Sequence, residues 1–408
     1  SITRHHVRRA LVAGEIALAV MLVVGAGLLL RSFRNLTTVY AGFDERNLTT
    51  FGLFMPTATY QQPARRAQFV TELVDRLHQI PGVQDVAAMT GLPPNRRVNA
   101  NDTDLENVAQ GQDLPPHNID YYNNATVRYF ETMKIPILRG RGFNAGDVGG
   151  PGVAVINESM AKRFYGNGDP IGRRVRPGTG PLPAGQPDTI PWFTIVGVAK
   201  DVKQGGLDQK IGTEVYFSVE QGPRLGFTPS GYNFVIRSTR SPEVLAPSIQ
   251  KAVRAMDPGL PIVDLRSMDD VFGDSVSRQR FLSTLLAIFA GVALLLAAIG
   301  TYGVLSYLVT ERRREIGIRV ALGASAAGIV RLVLRQGLTL TVAGIAVGVI
   351  GALALARLTQ SLLFGVSPSD PTTYLSVGAA IVVVALLACL VPAQRAMRVD
   401  PLVAIRDE

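Results

Sequence analysis

Four long apolar runs constrain the fold of this chain more than any other feature. They occupy residues 10–30, 281–309, 337–356 and 374–392, and the second and third contain no Asp, Glu, Lys, Arg or His. A helix rises about 1.5 Å per residue, so about 20 apolar residues cross a hydrocarbon layer about 30 Å thick. Each run is therefore predicted to form a transmembrane helix.

The composition agrees with a membrane protein. The chain is 47% hydrophobic and 18% charged, whereas soluble domains carry about 25% charged residues. The net charge of +9 comes largely from Arg residues that flank the apolar runs. This pattern is typical of contact with membrane lipids, and no nucleic-acid-binding motif accompanies it, so no nucleic-acid partner is expected.

The first run is predicted to be an uncleaved span. It is about twice as long as the apolar region of a secretory signal, and it ends in Leu-Leu-Leu-Arg rather than in small residues. Glu15 is the one acidic residue within the four runs. An intramembrane carboxylate is a functional candidate, but Glu15 near the end of a span can also pair with Arg8, Arg9 or lipid headgroups.

Residues 34–277 read as a polar α+β domain of two subdomains, inserted between transmembrane helices 1 and 2. Residues 62–80 have helical periodicity, end at Pro81-Gly82 and lead into a strand at 83–89. Residues 243–256 repeat this arrangement, with Pro258-Gly259 before a strand at 261–265. The two units predict one split βαβ subdomain built from distant halves of the sequence.

The middle of the insert predicts the second subdomain. Residues 91–116, with Pro93-Pro94 and many Asn and Asp residues, are expected to be loop, as are residues 177–191. Strands are expected at 153–156, 193–198, 214–218 and 233–237, with a short helix at 159–165.

The distribution of Arg residues predicts the topology. Three precede the first run, six lie between the second and third runs, three follow the fourth, and one lies between the third and fourth. Cytoplasmic loops carry the Lys and Arg excess, and large translocated domains are exempt from this rule. Both termini and the middle connector are therefore expected in the cytoplasm, and the insert outside.

The middle connector, residues 310–336, is the densest basic segment of the C-terminal half. From charge alone, two interpretations remain open: a loop that is merely positive, or a docking segment for a cytoplasmic protein. Gly344 and Gly348 in the third run form a small-xxx-small pattern, which allows close approach of helices.

Motifs for catalysis and cofactor binding are missing from the sequence. It contains no Gly-Lys dipeptide, and hence no P-loop, and no Gly-x-Ser-x-Gly motif. One cysteine, Cys389, and four unpaired His residues provide no zinc site. Asp102, Asp104 and Glu106 alternate but lack the Gly and distal Glu of a calcium loop. We expect no enzyme, no catalytic residue and no bound metal.

Several of these segments together resemble the MacB/FtsX-like family of ABC transporter permeases. The closest likeness is REIGIRVALGA at 314–324, extended upstream by LLLAAIGTYGVLSYLVTERRREIG at 294–317. The insert resembles a MacB-type periplasmic core domain at 129–143, 153–175 and 193–207, and the tail at 392–408 resembles internally duplicated permeases. The start at 8–33 resembles the second half of such a permease, which implies a C-terminal half; a complete homodimeric subunit is the alternative.

The resemblance implies a bacterial inner-membrane, multi-pass permease of the macrolide-export type, with a periplasmic insert at 34–277 and an FtsX-like permease domain at 278–408. ATP and Mg²⁺ would be bound by a separate cytoplasmic ABC ATPase, and this chain would bind no cofactor. Further partners would be a second permease half or a homodimer partner, and a periplasmic adaptor. The ATPase-coupling segment would comprise Glu311, Arg312, Arg313, Arg314, Glu315, Ile316, Gly317, Arg319, Leu322 and Gly323.

The same resemblance leaves two alternative functions open. One is an FtsX-like scaffold that activates a cell-wall hydrolase, and the other is a permease for lipoprotein extraction. The large insert of two subdomains favours export over the scaffold, because the resemblance implies a smaller external domain for scaffold proteins.

Overall fold

The computed structural model describes residues 2–106, 108, 117–178, 191–225, 228–311, 318 and 326–397. The chain divides into two compact units. One consists of Ser1–Thr38 with Val276–Glu408, and the other of Val39–Ser275. The units divide at the end of a helix, whereas the predicted boundary at 33–34 falls inside that helix.

The first unit contains four long helices in its described residues. They are α1 (Ile2–Thr37), α7 (Ser277–Glu311), α8 (Ala326–Leu358) and α9 (Pro371–Met397). Each includes a stretch long and apolar enough to cross a membrane: Ala10–Thr37, Ser277–Glu311, Gly337–Leu358 and Pro371–Pro392. The four predicted spans are confirmed. Residues 326–336, the last part of the predicted connector, form the first turns of α8 and continue into the span without a break.

Helix α1 provides one wall of the core of this unit. Its buried side chains recur at helical spacing, as in Val12, Ile16 and Val20. They pack against small residues of α7 and α8 such as Ala297 and Ala352. Small residues allow the helix axes to approach closely, which favours packing between membrane helices.

The C-terminal end of α1 is tied to the segment between α8 and α9. Arg31 forms an ion pair with Asp370. The Asn35 side-chain amide donates to the Gly365 carbonyl at 3.0 Å, and the Phe364 amide donates to Ser32 Oγ at 2.8 Å. Asp370 also accepts a hydrogen bond from the Thr373 amide at 3.0 Å, which caps α9. One carboxylate thus serves both the helix start and the link to α1.

The second unit, called the inserted domain below, is built on one mixed sheet. Five shorter helices accompany it in its described residues: α2 (Pro63–His78), α3 (Tyr129–Met133), α4 (Glu158–Tyr165), α5 (Pro242–Met256) and α6 (Met268–Ser275). The strands are β1 (Leu48–Phe54), β2 (Val83–Met89), β3 (Asn101–Leu105), β4 (His117–Ile119), β5 (Tyr121–Ala125), β6 (Ile137–Gly140), β7 (Val153–Asn157), β8 (Arg174–Pro177), β9 (Phe193–Ala199), β10 (Glu214–Ser218), β11 (Gly231–Ser238) and β12 (Ile262–Ser267). Their order is β12-β1-β11-β2-β5-β10-β7-β9-β8-β3-β4, and β6 pairs with β9.

The first subdomain is the predicted split βαβ unit. Its strands β12-β1-β11-β2 are antiparallel neighbours, so the halves β1-α2-β2 and β11-α5-β12 interleave. Phe69, Leu73 and Leu77 of α2 and Ile249 of α5 face a shared core with Phe234 of β11. This prediction is confirmed.

The second subdomain contains the other strands, with α4 packed against them. The predicted strands at 153–156, 193–198 and 214–218 and the helix at 159–165 are all present here, within two residues at either end. The strand predicted at 233–237 is also present, but as β11 it belongs to the first subdomain. Asn157 caps α4 by accepting a hydrogen bond from the Met160 amide at 3.0 Å.

The prediction that residues 91–116 are loop is wrong in part, because β3 lies within them. This strand has no apolar alternation, and cross-strand ion pairs with β8 accompany it instead. Asp104 lies opposite Arg176, with 2.9 Å between the carboxylate and Nε, and the adjacent Glu106 pairs with Arg174 at 2.5 Å. The carboxylates of Asp104 and Glu106 are thus engaged by arginines.

Candidate functional site

The predicted coupling segment joins the end of α7 to the start of α8. Glu311 is the last residue of α7, and Ile318 is an exposed helical residue within the connector. The other residues predicted for coupling lie outside the described residues: Arg312, Arg313, Arg314, Glu315, Ile316, Gly317, Arg319, Leu322 and Gly323. Arg331 and Arg335 are exposed on the first turns of α8. The basic residues of the connector therefore continue onto the first turns of α8.

Gly344 and Gly348 lie where α8 meets α1. A Cβ atom on Gly344 would be 2.6 Å from Ile16 Cγ2 and 3.0 Å from the Ala13 carbonyl oxygen. A Cβ atom on Gly348 would be 2.5 Å from Val20 Cβ. Real Cβ atoms do not approach other heavy atoms so closely, so both positions require glycine for this packing. Gly351, one turn further along, lies against the flexible Met21 side chain, with Sδ 2.6 Å from such a Cβ atom.

Glu15 is exposed on α1, and its carboxylate lies against α7. A Cβ atom on Gly300 would be 2.1 Å from Glu15 Oε2, so the missing side chain leaves room for the carboxylate. The exposed side chains of Leu11 and Leu18 flank Glu15 on α1. The side chains of Arg8 and Arg9, its predicted partners, lie outside the described part of the structure.

The inserted domain contains a buried polar cluster that the sequence analysis did not identify. Glu214 is 1% exposed and begins β10. Gln204 Nε2 donates to Glu214 Oε1 at 2.9 Å, and the Tyr216 hydroxyl donates to Oε2 at 2.7 Å. Arg96 Nη1 lies 3.5 Å from Oε1. Burial raises the pKa of Glu214 to about 7, although the Arg96 charge and these hydrogen bonds oppose the shift.

A single acidic residue at the start of an apolar strand is a weak sequence signal for such a cluster. Arg96 lies in a region predicted as loop, far from Glu214 in the sequence. The fold brings them together because β5 and β10 pair in parallel, with Glu214 opposite Tyr121, whose ring lies 5.3 Å from the Arg96 guanidinium carbon.

Comparisons with known proteins identify both parts of the chain. The family model described as MacB-like periplasmic core domain matches residues 10–256. The model described as FtsX-like permease C-terminal matches residues 287–401, which includes most of α7, the connector, α8 and α9.

Three relatives illustrate the similarity. The pyoverdine export ATP-binding/permease protein PvdT of Pseudomonas entomophila is 27% identical over 405 residues, which cover 98% of this chain and 56% of that protein. The macrolide export ATP-binding/permease protein MacB of Chromobacterium violaceum is 26% identical, over 81% of this chain and 49% of its own length. The uncharacterized ABC transporter permease YknZ of Bacillus subtilis is 24% identical, over 87% and 84%. The chain thus spans about half the length of the first two.

Solved structures provide a more distant comparison. The periplasmic region of MacB from Actinobacillus actinomycetemcomitans aligns with a TM-score of 0.37 at 14% identity, and covers 58% of this chain and 95% of that one. The extracellular domain of YknZ aligns with a TM-score of 0.35 at 17% identity, over 53% of this chain and all of that one.

The first family model alone covers more than half of the sequence, and the second covers the helices that follow the inserted domain. The chain therefore belongs to the MacB-like family of ABC transporter permeases, in which a MacB-like periplasmic core domain is joined to an FtsX-like permease domain.

Proposed function

We propose that this chain is a permease subunit of an ABC transporter of the macrolide-export type. It would couple ATP hydrolysis by a separate cytoplasmic ATPase to export or to mechanical work outside the membrane. The observation that carries the proposal is the match of both a MacB-like core domain and an FtsX-like permease region, in this order, on one chain. PvdT and MacB, two relatives of this chain, carry export in their names.

The helices support transmission of movement along the chain. Helices α7 and α8 have 35 and 33 residues, which corresponds to roughly 50 Å each and exceeds a hydrocarbon layer about 30 Å thick. Helix α7 begins two residues after α6 of the inserted domain ends and runs to the connector. A push on the connector would therefore be transmitted through one continuous helix toward the inserted domain.

ATP chemistry belongs to a partner in this proposal. The sequence has no P-loop, so ATP and Mg²⁺ would bind to a cytoplasmic ABC ATPase that docks on residues 311–323. A second permease half or a second copy of the chain would complete the transmembrane part of the transporter. A periplasmic adaptor would be a further partner outside the membrane. The Arg-rich connector and both termini would lie on the cytoplasmic side of the inner membrane, and the inserted domain on the opposite side.

Replacement of the connector charges tests the docking assignment. Arg313→Ala, Glu315→Ala and Arg319→Ala in one chain should abolish the coupling of ATP hydrolysis to transport, because they remove the charges that face the ATPase. The measurement is the ATPase activity of the reconstituted complex, compared between the native permease and the variant. Membrane insertion of the variant is measured in parallel. Arg357→Ala, at the opposite end of α8, is the matched control and should leave coupling unchanged.

Unchanged coupling in the triple variant would refute the role of the connector. Affinity purification from membranes, with and without a trapped ATP state, then separates the kinds of machine. A P-loop ATPase with a periplasmic adaptor supports export, whereas an ATPase with a cell-wall hydrolase or a lipoprotein carrier supports one of the two alternative functions.

A further inference from the structure

A cavity of about 480 Å³ lies in the inserted domain, on one face of strands β5 and β10. Its lining includes Tyr122 and Asn124 of β5 and Phe217 of β10. Successive side chains of a strand point to opposite faces of a sheet. Asn123 and Glu214 therefore lie on the other face, where the Asn123 side-chain amide donates to Glu214 Oε1 at 3.4 Å. The sheet thus separates the cavity from the buried polar cluster around Glu214.

Arg96 reaches both faces of this sheet. It lines the cavity, while its Nη1 atom lies 3.5 Å from Glu214 Oε1 on the other face. The sheet leaves room for it, because β2 pairs with β5 through one residue pair, Met89 with Ala125. Arg96 Nη2 donates to the Tyr122 carbonyl, a main-chain group of β5 beyond that pair. The guanidinium therefore lies between the cavity and the buried carboxyl group.

The guanidinium of Arg96 has more donors than the acceptors around it. Its Nη1 atom is buried and makes no hydrogen bond to any residue that the structure describes. Glu214 balances its charge only in part at neutral pH, because burial raises the pKa of this carboxyl to about 7. A buried cation with an unpaired N–H group is unfavourable, so a further acceptor with negative charge would stabilise it.

The lining of the cavity favours an organic anion. Arg96 is the one charged side chain among the described residues that line it, so none of them repels an anion. Asn99 and Asn124 contribute side-chain amides, which can donate to a carboxylate. The rings of Tyr122 and Phe217, with centroids 5.4 Å apart, provide an apolar wall for the body of a ligand. The volume lies in the range of small-molecule sites, roughly 300–1,000 Å³.

We propose that this cavity binds a small organic carboxylate, which pairs with Arg96 while Glu214 takes up a proton from solvent. A guanidinium matches a carboxylate in shape and charge. The ligand would replace Glu214 as the anionic partner of Arg96. The Arg96 charge is the main influence that opposes the effect of burial on the Glu214 pKa, so its engagement by a ligand should raise that pKa further. The inference depends on the inserted domain and not on the proposed export function.

The other titratable groups that face Glu214 among the described residues are tyrosines. The Tyr216 hydroxyl of β10 donates to Oε2 at 2.7 Å, and Tyr129 of α3 and Tyr121 of β5 lie close enough to interact with its charge. Burial raises the pKa of each tyrosine above its ordinary value near 10. Arg96 stays charged throughout, so Glu214 is the group of this cluster that changes charge between pH 6 and pH 8.

Calorimetry on the full chain in detergent tests this site. The probe is N-acetylphenylalanine, whose carboxylate stays ionised from pH 6 to pH 8, and its amide is an uncharged comparator of the same shape. At pH 6 the acid should bind at least about tenfold more tightly than the amide. Its affinity should fall roughly three- to tenfold from pH 6 to pH 8, because a smaller fraction of Glu214 is then protonated. Titrations at pH 8 in two buffers of different ionisation enthalpy should show proton uptake on binding.

Variants of Arg96 and Glu214 locate the binding. Arg96→Gln should weaken the binding of the acid by at least about tenfold. Arg97→Gln, at the adjacent exposed position outside the described lining, is the matched control and should leave it unchanged. Glu214→Gln resembles the protonated carboxyl and should bind the acid equally well at pH 6 and pH 8. Thermal unfolding checks each variant, and if Arg96→Gln unfolds, the proton uptake of the native chain still decides.

Four results would overturn the proposal: no heat of binding with the acid, equal affinity for the acid and the amide, unchanged binding by folded Arg96→Gln, or an affinity of the native chain that does not fall from pH 6 to pH 8. Equal affinity for the acid and the amide would identify a site for uncharged ligands. An affinity independent of pH would show that Glu214 remains the partner of Arg96 when the cavity is filled.

Discussion

At the scale of single residues, the contact between α1 and α8 depends on glycine. Gly348→Ala should destabilise the helical unit by about 1–3 kcal/mol, because the added Cβ would lie 2.5 Å from Val20 Cβ and 2.7 Å from the Ala17 carbonyl oxygen. Both are parts of a packed helix and cannot move aside independently. Thermal unfolding of the purified chain measures the effect.

Gly378→Ala on α9 is the matched control, because no heavy atom beyond its own helix and chain neighbours lies within 4 Å of a Cβ placed there. It should leave stability unchanged or raise it slightly, since alanine favours a helix over glycine. Equal effects of the two substitutions would contradict the close approach of α1 and α8.

Glu214 makes the stability of the inserted domain depend on pH. Burial raises its pKa from an ordinary value near 4.5 to about 7 in the folded chain. The folded state therefore holds the proton more tightly than the unfolded state. The contribution of Glu214 is fully present below pH 4.5 and is lost as the pH rises through about 7, on the order of 3 kcal/mol in total.

Urea unfolding of the full chain and of Glu214→Gln, measured from pH 4.5 to pH 8, tests this dependence. The free energy of unfolding of the native chain, minus that of the variant, should fall across this range. The variant also loses an acceptor for Gln204 or Tyr216, so the slope and not the offset is diagnostic. A difference that stays constant with pH would show that Glu214 does not titrate there.

At the scale of secondary structure, Asp370 combines a helix cap with a link between elements. Asp370→Ala should speed amide hydrogen exchange in the first turn of α9 and at Gly365 and Phe364, because it removes the acceptor for the Thr373 amide and the partner of Arg31. Arg31→Ala should have a smaller effect limited to the link, since an exposed ion pair contributes little. Equal exchange in the two variants would argue against the cap.

The sequence predicts elements whose apolar residues are periodic. Helix α2 could be predicted because Phe69, Leu73 and Leu77 recur at helical spacing. The four spans could be predicted because they are long and apolar. Strand β3 was missed because Asn101–Leu105 has no apolar alternation and depends on arginines from β8. The Arg96–Glu214 cluster was missed because segments distant in the sequence form it, and no local pattern predicts which strands become neighbours.

At the scale of the whole molecule, the order of helices and the distribution of charge predict one orientation in the membrane. Helix α8 connects the basic connector to the segment between α8 and α9, so these two segments must lie on opposite sides if α8 crosses the membrane. The inserted domain and the α8–α9 segment should then share a side, because α7 and α8 lie between them in the chain and each crosses once.

Cysteine labelling measures this orientation directly, since Cys389 is the one cysteine and can be replaced by Ala. In that background, Asn118→Cys in the inserted domain and Ser367→Cys in the α8–α9 segment occupy exposed positions, and both should react with an impermeant maleimide in cells whose outer barrier is opened. Ser325→Cys in the connector should react only after the inner membrane is lysed, because the connector has six arginines against one in the α8–α9 segment and is therefore expected in the cytoplasm. Labelling of Ser325→Cys in unlysed cells would show the opposite orientation in the membrane. The connector would then be out of reach of a cytoplasmic ATPase.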